Sequence, residues 1–189
     1  MATPYDSPQP VLNATTSHGE HLTLRPAEAR DADAIQKACS DPETVRWTTV
    51  PLGYDAEMAA GFVTEYAPGW WQRRQGACWV VADAEGSYVG QLDLRVGKDP
   101  EVADVGFITA PYARGRGYMP AALRAAAEYG LRELGLARVE WKAHVGNDGS
   151  RRVAEKAGFV FEGVQRGGCA HRGERRDCWI AALIQEDLA

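Results

Sequence analysis

The run Asp104-Val-Gly-Phe-Ile-Thr-Ala-Pro-Tyr-Ala-Arg-Gly-Arg-Gly-Tyr-Met-Pro120 constrains this chain more than any other. An apolar stretch of strand character passes through a turn carrying Gly115 and Gly117 into the longest helical pattern of the sequence. There Met119, Ala122, Leu123, Ala126, Gly130, Leu131 and Leu134 recur at helical spacing and Gly135 is the stop. Such a junction is an anion site. The first N–H groups of a helix have no internal partner, the helix dipole places partial positive charge there, and glycines let the backbone approach a ligand closely. Arg114 and Arg116 add formal positive charge. A pyrophosphate fits on these grounds, and a bare structural turn is the competing reading. No Gly-Lys-Ser/Thr completes a P-loop, and the third position of a dinucleotide fingerprint is Pro120 rather than Gly.

The flanking sequence implies a mixed α/β domain with one central sheet. Met1 to Gly19 is rich in Pro, Ser and Thr without an apolar period, so residues 1–19 read as a flexible arm ahead of a domain over 20–189. His21 to Arg25 alternates as a strand stopped by Pro26, and a helix follows through Asp33, Ile35 and Cys39. Asp55 caps a second helix through Met58, Phe62 and Tyr66, which Pro68-Gly69 is expected to end before Trp70-Trp71. Cys78–Ala82 and Tyr88–Leu94 read as a hairpin, and Val102–Thr109 continues the antiparallel series. Arg138–His144 is a strand, Ser150–Ala157 a short helix closed by Gly158, and Phe159–Gln165 and Arg176–Ile184 two more strands.

A net charge of -5 argues against a protein that grips a nucleic-acid backbone. No apolar run is long enough to span a membrane and no secretory pattern opens the chain, so a cytoplasmic location is expected. In a reducing compartment the scattered Cys39, Cys78, Cys169 and Cys178 suggest free thiols. A metal cluster of Cys169, His171 and Cys178 has looser spacing than zinc sites use, so no metal is expected.

Arg114-Gly-Arg-Gly-Tyr-Met119 resembles the Arg/Gln-x-x-Gly-x-Gly/Ala signature of the GNAT acyltransferases. Downstream, Asn147-Asp-Gly-Ser150, Glu155-Lys-Ala-Gly-Phe159 and Glu162-Gly163 resemble a run typical of the RimJ/RimL branch. With Leu22-Thr-Leu-Arg-Pro26, Trp79-Val-Val-Ala-Asp83 and Asp177, the resemblance covers roughly Leu22 to Asp187. It implies a GNAT-like α+β fold whose mostly antiparallel sheet of about seven strands is flanked by helices. Two departures stand out. Met119 replaces the small residue of the signature and precedes Pro120, and Ala154 stands seven residues after Asn147, where many members carry a tyrosine that protonates the departing thiolate.

The resemblance implies direct transfer of an acyl group from acetyl-CoA, or another acyl-CoA, to a primary amine of a small molecule or a protein N-terminus. An ammonium has no lone pair, so a base is needed, and Asp104 holds the family's acidic position; Glu101 and Asp93 rank below it. The plainer reading of Asp104 is a strand residue paired with a neighbouring arginine. Backbone N–H groups over Phe107, Ile108 and Thr109 are implied to stabilise the thioester oxygen, and Arg114, Gly115, Arg116, Gly117, Tyr118 and Met119 to hold the pyrophosphate. Asn147 is implied to bond the pantetheine arm, against an ordinary Asx turn, and the acid is left to Ser150, a water or no specific group. Trp47, Tyr54, Trp70 and Trp71 are candidates for the acceptor side, with Asp41, Glu43 and Glu65 as possible attractors of a cationic amine. Arg172 to Arg176, with His171, form a loop that touches solvent, acceptor or the adenosine 3'-phosphate. Two alternatives stay open: a succinyl-CoA or other acyl donor, and a non-catalytic acyl-CoA sensor. A monomer or a homodimer is expected.

Overall fold

The structure, a computed structural model, describes residues 3–188. Its strands are β1 (Leu12–Thr15), β2 (His21–Arg25), β3 (Gly76–Ala82), β4 (Tyr88–Val96), β5 (Val102–Thr109), β6 (Arg138–His144), β7 (Val160–His171) and β8 (Glu174–Ile184). They form one sheet in the order β1-β2-β3-β4-β5-β6-β8-β7. All neighbours are antiparallel except β5 and β6, which are parallel because helix α5 (Tyr118–Arg132) crosses over between them.

Two layers of helices enclose the sheet. Alternation along β4 sends Leu92 and Leu94 to the α5 face, where Gly130 brings the helix so close that a Cβ on it would stand 2.9 Å from Leu94 Cδ2. Asp93 and Arg95 point to the other face, covered by α1 (Ala32–Ser40), α2 (Pro42–Trp47), α3 (Ala56–Gly61) and α4 (Ala67–Gln72). At the start of this layer Arg25 donates two 2.8 Å hydrogen bonds to Asp31, a buried pair. No helix is long and apolar enough to cross a membrane among the described residues.

Several expectations are corrected. The segment read as a flexible arm is fastened to the domain, and β1 within it is the eighth strand. Its prolines cannot donate, but its carbonyls accept: Trp71 Nε1 donates to Ser7 (2.8 Å), Trp79 Nε1 to Pro10 (2.9 Å), and Gln9 in turn donates to the Cys78 carbonyl (2.8 Å). Asp55 caps α3 as expected, yet Pro68-Gly69 does not end the helix. A π-helical turn over Phe62–Tyr66 shifts the ladder, so that Ala67 bonds to Phe62 and Pro68 falls in the first turn of α4, where no donor is required of it. Trp70 and Trp71 are therefore helical. The short α2 escapes the apolar-period reading; its signal is Asp41-Pro42, a cap followed by proline at the first helical position.

The last hairpin is longer than expected. β7 runs to His171 and β8 starts at Glu174, joined by Arg172 (φ 49°) and Gly173 (φ 85°), the left-handed pair that tight hairpins use. Arg175 and Arg176 are thus strand residues. Arg172 donates to the carbonyls of Val45, Thr48 and Val50, which places it at the end of α2 and not on a phosphate. Cys169 and Cys178 are not free thiols: they pair across β7 and β8 as a disulfide with Cα atoms 5.8 Å apart. Cys39 and Cys78 are free and buried.

Candidate active site

The site begins where two strands part. β5 and β6 pair only from Val102–Val105 against Arg138–Trp141; beyond, Gly106–Thr109 holds β4 alone and Lys142–His144 holds β8 alone. The Ala110 N–H bonds to Val89, so by alternation the amides of Gly106 and Ile108 also face β4, while those of Phe107 and Thr109 face the gap. A cavity of about 1330 Å³ opens there, lined by Phe107 and Thr109 on one side and by Ala143, Asn147 and Ser150 on the other.

At one end of this cavity lies the glycine turn. Gly115 (φ 78°) and Gly117 (φ 80°) are left-handed, which explains glycine at both, and no side chain caps α5, so its first amides stay free for a ligand. Met119 does not disturb the turn. It is 2% exposed, and its terminal methyl lies 2.8 Å from where a Cβ on Gly90 would stand, so the missing side chain of Gly90 houses the larger residue. The Met119 side chain therefore belongs to the core, and only its backbone is offered to a phosphate.

The loop arginines are already matched. Arg114 donates to Asp41 (2.5 Å) and Thr44 (3.2 Å). Arg116 donates to Glu20 (2.9 Å), which also accepts from the Tyr118 hydroxyl (2.9 Å). Burial raises the Asp41 carboxyl, but Arg114 and the Thr44 amide outweigh it and hold it below the usual range. Asp41 therefore clamps Arg114 and caps α2 instead of attracting an amine. The turn's attraction for an anion rests on amide dipoles more than on net charge.

Asn147 lines the cavity and caps α6 (Asp148–Lys156), its Oδ1 accepting from the Ser150 N–H (3.1 Å), which is the Asx geometry and leaves its amide Nδ2 as a donor. Ser150 Oγ accepts from Trp141 Nε1 (3.0 Å), leaving its O–H to donate. Ala154 is 1% exposed and belongs to the core.

On the face opposite α5 the cavity floor carries three charges. Asp104 and Arg95 stand in register and form a 2.5 Å ion pair, and Asp93 lies 3.7 Å from Arg95 on its other side. Tyr66 donates to Asp93 at 3.5 Å. Burial pushes the Asp93 carboxyl above the usual range despite Arg95, with Asp104 adding to the rise. Sequence reasoning passed over Arg95, although Gln91, Asp93 and Arg95 alternate with Leu92, Leu94 and Val96, a polar row on one face of a central strand.

Trp47 and Tyr54 line the cavity with Val50, Met58, Phe62 and Tyr66. Trp70 and Trp71 do not line it: Trp71 packs on Tyr5 and bonds to Ser7, and Arg73 lies 5.5 Å over Trp70. Glu43 sits at the rim, bonded to Trp47 Nε1 (3.0 Å), whereas Glu65 and Glu101 are exposed and outside the cavity. His171 stacks edge-on with His144 (4.7 Å between centroids), both buried and both with Nδ1 unpartnered. Burial, with His171 and Arg176 beside it, keeps His144 below its usual pKa; burial, with Arg176 and Arg172, does so for His171.

Comparison with known proteins gives this arrangement its family. Residues 21–160 match the acetyltransferase (GNAT) domain family. The chain is 29% identical over 178 residues to YdaF of Bacillus subtilis (strain 168), provisionally named a ribosomal N-acetyltransferase, covering 92% of this chain and 96% of that protein. It is 28% identical over 170 residues to the L-amino acid N-acetyltransferase AaaT of Escherichia coli (strain K12), covering 87% and 98%. Among solved structures, Mycobacterium smegmatis RimJ in complex with CoA-disulfide superposes with a TM-score of 0.80 at 22% identity, covering 95% of this chain and 89% of that one. With parted strands, an uncapped glycine turn and a match over most of its length, this chain belongs to the GNAT family and is an acetyl-CoA-dependent N-acetyltransferase.

Proposed function

We propose that the acceptor is a primary amine carried on an apolar or aromatic body, whether a small molecule or the first residue of a protein, and that it enters between α2, α3 and the π turn. The supporting observation is the wall of Trp47, Val50, Tyr54, Met58 and Phe62 above a floor whose Asp93, Arg95 and Asp104 carry two carboxylates against one guanidinium. A cationic amine suits that floor, and the apolar wall suits its substituent.

Acetyl-CoA supplies the acetyl group as an activated thioester. The free amides after Gly117 meet its pyrophosphate, Asn147 Nδ2 meets the pantetheine arm, and the Phe107 or Thr109 amide meets the thioester oxygen. Ser150 lines the cavity with its O–H left to donate, and with no tyrosine at position 154 it is the proton donor to the departing sulfur. Arg95 is held by both carboxylates, which favours acetyl over succinyl as the group transferred.

Intact mass spectrometry with acetyl-CoA and succinyl-CoA, beside peptides and amine metabolites, tests this reading. Acetylation of amines with apolar or aromatic substituents is the expected result. Bound CoA without product would favour an acyl-CoA sensor, and preferred acetylation of polyamines or acidic peptides would overturn the acceptor assignment.

A further inference from the structure

We infer that Asp93 on β4, and not Asp104, is the general base that takes the acceptor's proton, with Arg95 and Asp104 as positioning residues acting through it. The inference rests on the acyl-transfer reading above and names the base within that same site.

Asp93, Arg95, Asp104 and Gly106 share one face of the β4–β5 ladder, since Asp93 stands opposite Gly106 and Arg95 opposite Asp104. Gly106 is the first residue beyond the last β5–β6 pair and precedes Phe107, whose amide faces the gap. A Cβ on Gly106 would stand 2.6 Å from Asp93 Oδ1. The missing side chain at 106 is thus the space the Asp93 carboxylate fills, at the point where the strands open. Asp104 lies two residues back, in the paired stretch.

The two carboxylates also differ in what they have left to offer. Asp104 is 45% exposed at its side chain and in contact with the Arg95 guanidinium at 2.5 Å. Asp93 is 14% exposed, 3.7 Å from the same guanidinium and 3.5 Å from the Tyr66 hydroxyl. The Arg95 guanidinium thus occupies an Asp104 oxygen directly, whereas the buried Asp93 carboxylate is only loosely paired and keeps its oxygens for a proton. Burial raises Asp93 and Asp104 adds to the rise, against Arg95 and the Gly106 amide. The other titratable groups facing it, Cys78 across β3 and Tyr66 from the π turn, are both pushed up by burial and stay neutral near neutral pH.

The step balances. Asp93 accepts one proton from the acceptor ammonium, and the freed nitrogen lone pair forms the C–N bond. The C–S bond breaks with its electron pair on sulfur, which takes the second nitrogen proton through Ser150 or water to give free CoA. The proton on Asp93 then leaves to solvent.

The test compares the unmodified protein, Asp93→Asn and Asp104→Asn across roughly pH 5 to 9. Acetyl-CoA is the donor; L-phenylalaninamide, spermidine and an alanine-initiated tetrapeptide amide are the probes; CoA affinity is measured by calorimetry. Asp93→Asn is expected to lose about 10²–10⁴-fold in kcat at unchanged CoA affinity and to lose the acidic limb of the pH profile. Asp104→Asn is expected to lose less than about tenfold and to move that limb to lower pH, because an anionic neighbour is gone and Arg95 is released toward Asp93. Asp93→Asn that retains kcat within about threefold, with deep loss in Asp104→Asn, overturns the assignment. If Asp93→Asn loses CoA affinity, carbon-13 carboxyl titration of the unmodified protein decides: Asp93 is expected to titrate above the ordinary value of about 3.9, and titration at or below it overturns the inference. Failure of the unmodified protein to acetylate any probe counts against the acyl-transfer reading itself; product formation together with an active Asp93→Asn counts against the base alone.

Discussion

Met119 offers a sharp test of how a departure from the family signature is absorbed. Its side chain is 2% exposed and packs into the space above Gly90, on the core side of α5. Met119→Ala therefore empties a buried site. Met-to-Ala changes in cores cost about 2–5 kcal/mol, and a value near 3 kcal/mol lowers Tm by about 6–12 °C in a domain of this length. The amide at 119 is unchanged, so KM for acetyl-CoA should stay within about threefold. Gly90→Ala acts on the same contact from the other side, since its Cβ would stand 2.8 Å from the Met119 methyl and 2.6 Å from the Ile108 carbonyl. It should cost about 1–3 kcal/mol by overpacking. Combining the two relieves the methyl clash but not the carbonyl one, so the double variant should be less destabilised than the sum by about 0.5–2 kcal/mol. Differential scanning calorimetry and steady-state kinetics on the four proteins read both quantities. An unchanged Tm in Met119→Ala with a KM raised tenfold or more would put the side chain on the cofactor turn and refute the packing argument.

Other outcomes follow from single contacts. Asn147→Ser keeps an α6 cap but removes the Nδ2 donor, so KM for acetyl-CoA should rise with little change in kcat or Tm; an unchanged KM would remove Asn147 from the donor site. Asp31→Asn breaks the buried pair with Arg25 and should cost about 3–5 kcal/mol at neutral pH, measured by urea unfolding. In the unmodified protein Asp31 is held below its usual value, Arg25 and the Glu28 amide outweighing burial, so its contribution is complete above about pH 4 and is lost as pH falls through the folded-state pKa. The depressed His144 and His171 act at milder acidity. The unfolded chain binds their protons first, so stability should fall as pH drops below about 6.5, and replacing both by apolar residues should flatten that slope in thermal melts.

Much of the cofactor side was legible because it depends on local rules. Gly115 and Gly117 are needed for left-handed backbone, and the period from Met119 to Leu134 announces a helix whatever surrounds it. What escaped depends on contacts between distant segments. β1 has only four residues, too few for a period, and the segment ahead of it is held at Ser7 and Pro10 by the indoles of Trp71 and Trp79 from much later in the chain. Pro68 ordinarily stops a helix, and only the π turn before it shows why it does not. The pairing of Arg95 with Asp104 is a matter of strand register, which residue identity does not reveal; the same register separates Asp93 from Asp104 as candidates for one role. Trp70 and Trp71 showed the reverse difficulty, since adjacent aromatics signal burial without saying against what.

The early end of the β5–β6 ladder leaves Phe107 and Thr109 amides without strand partners in the middle of a sheet. A sheet interrupted in this way is an unfinished piece of folding, and whatever occupies the gap completes it. Bound donor then adds to the unfolding free energy by mass action, about 2.7 kcal/mol at a hundredfold excess over Kd. Thermal stability thereby becomes a reporter of donor occupancy, able to rank acyl-CoA analogues before any acceptor has been found.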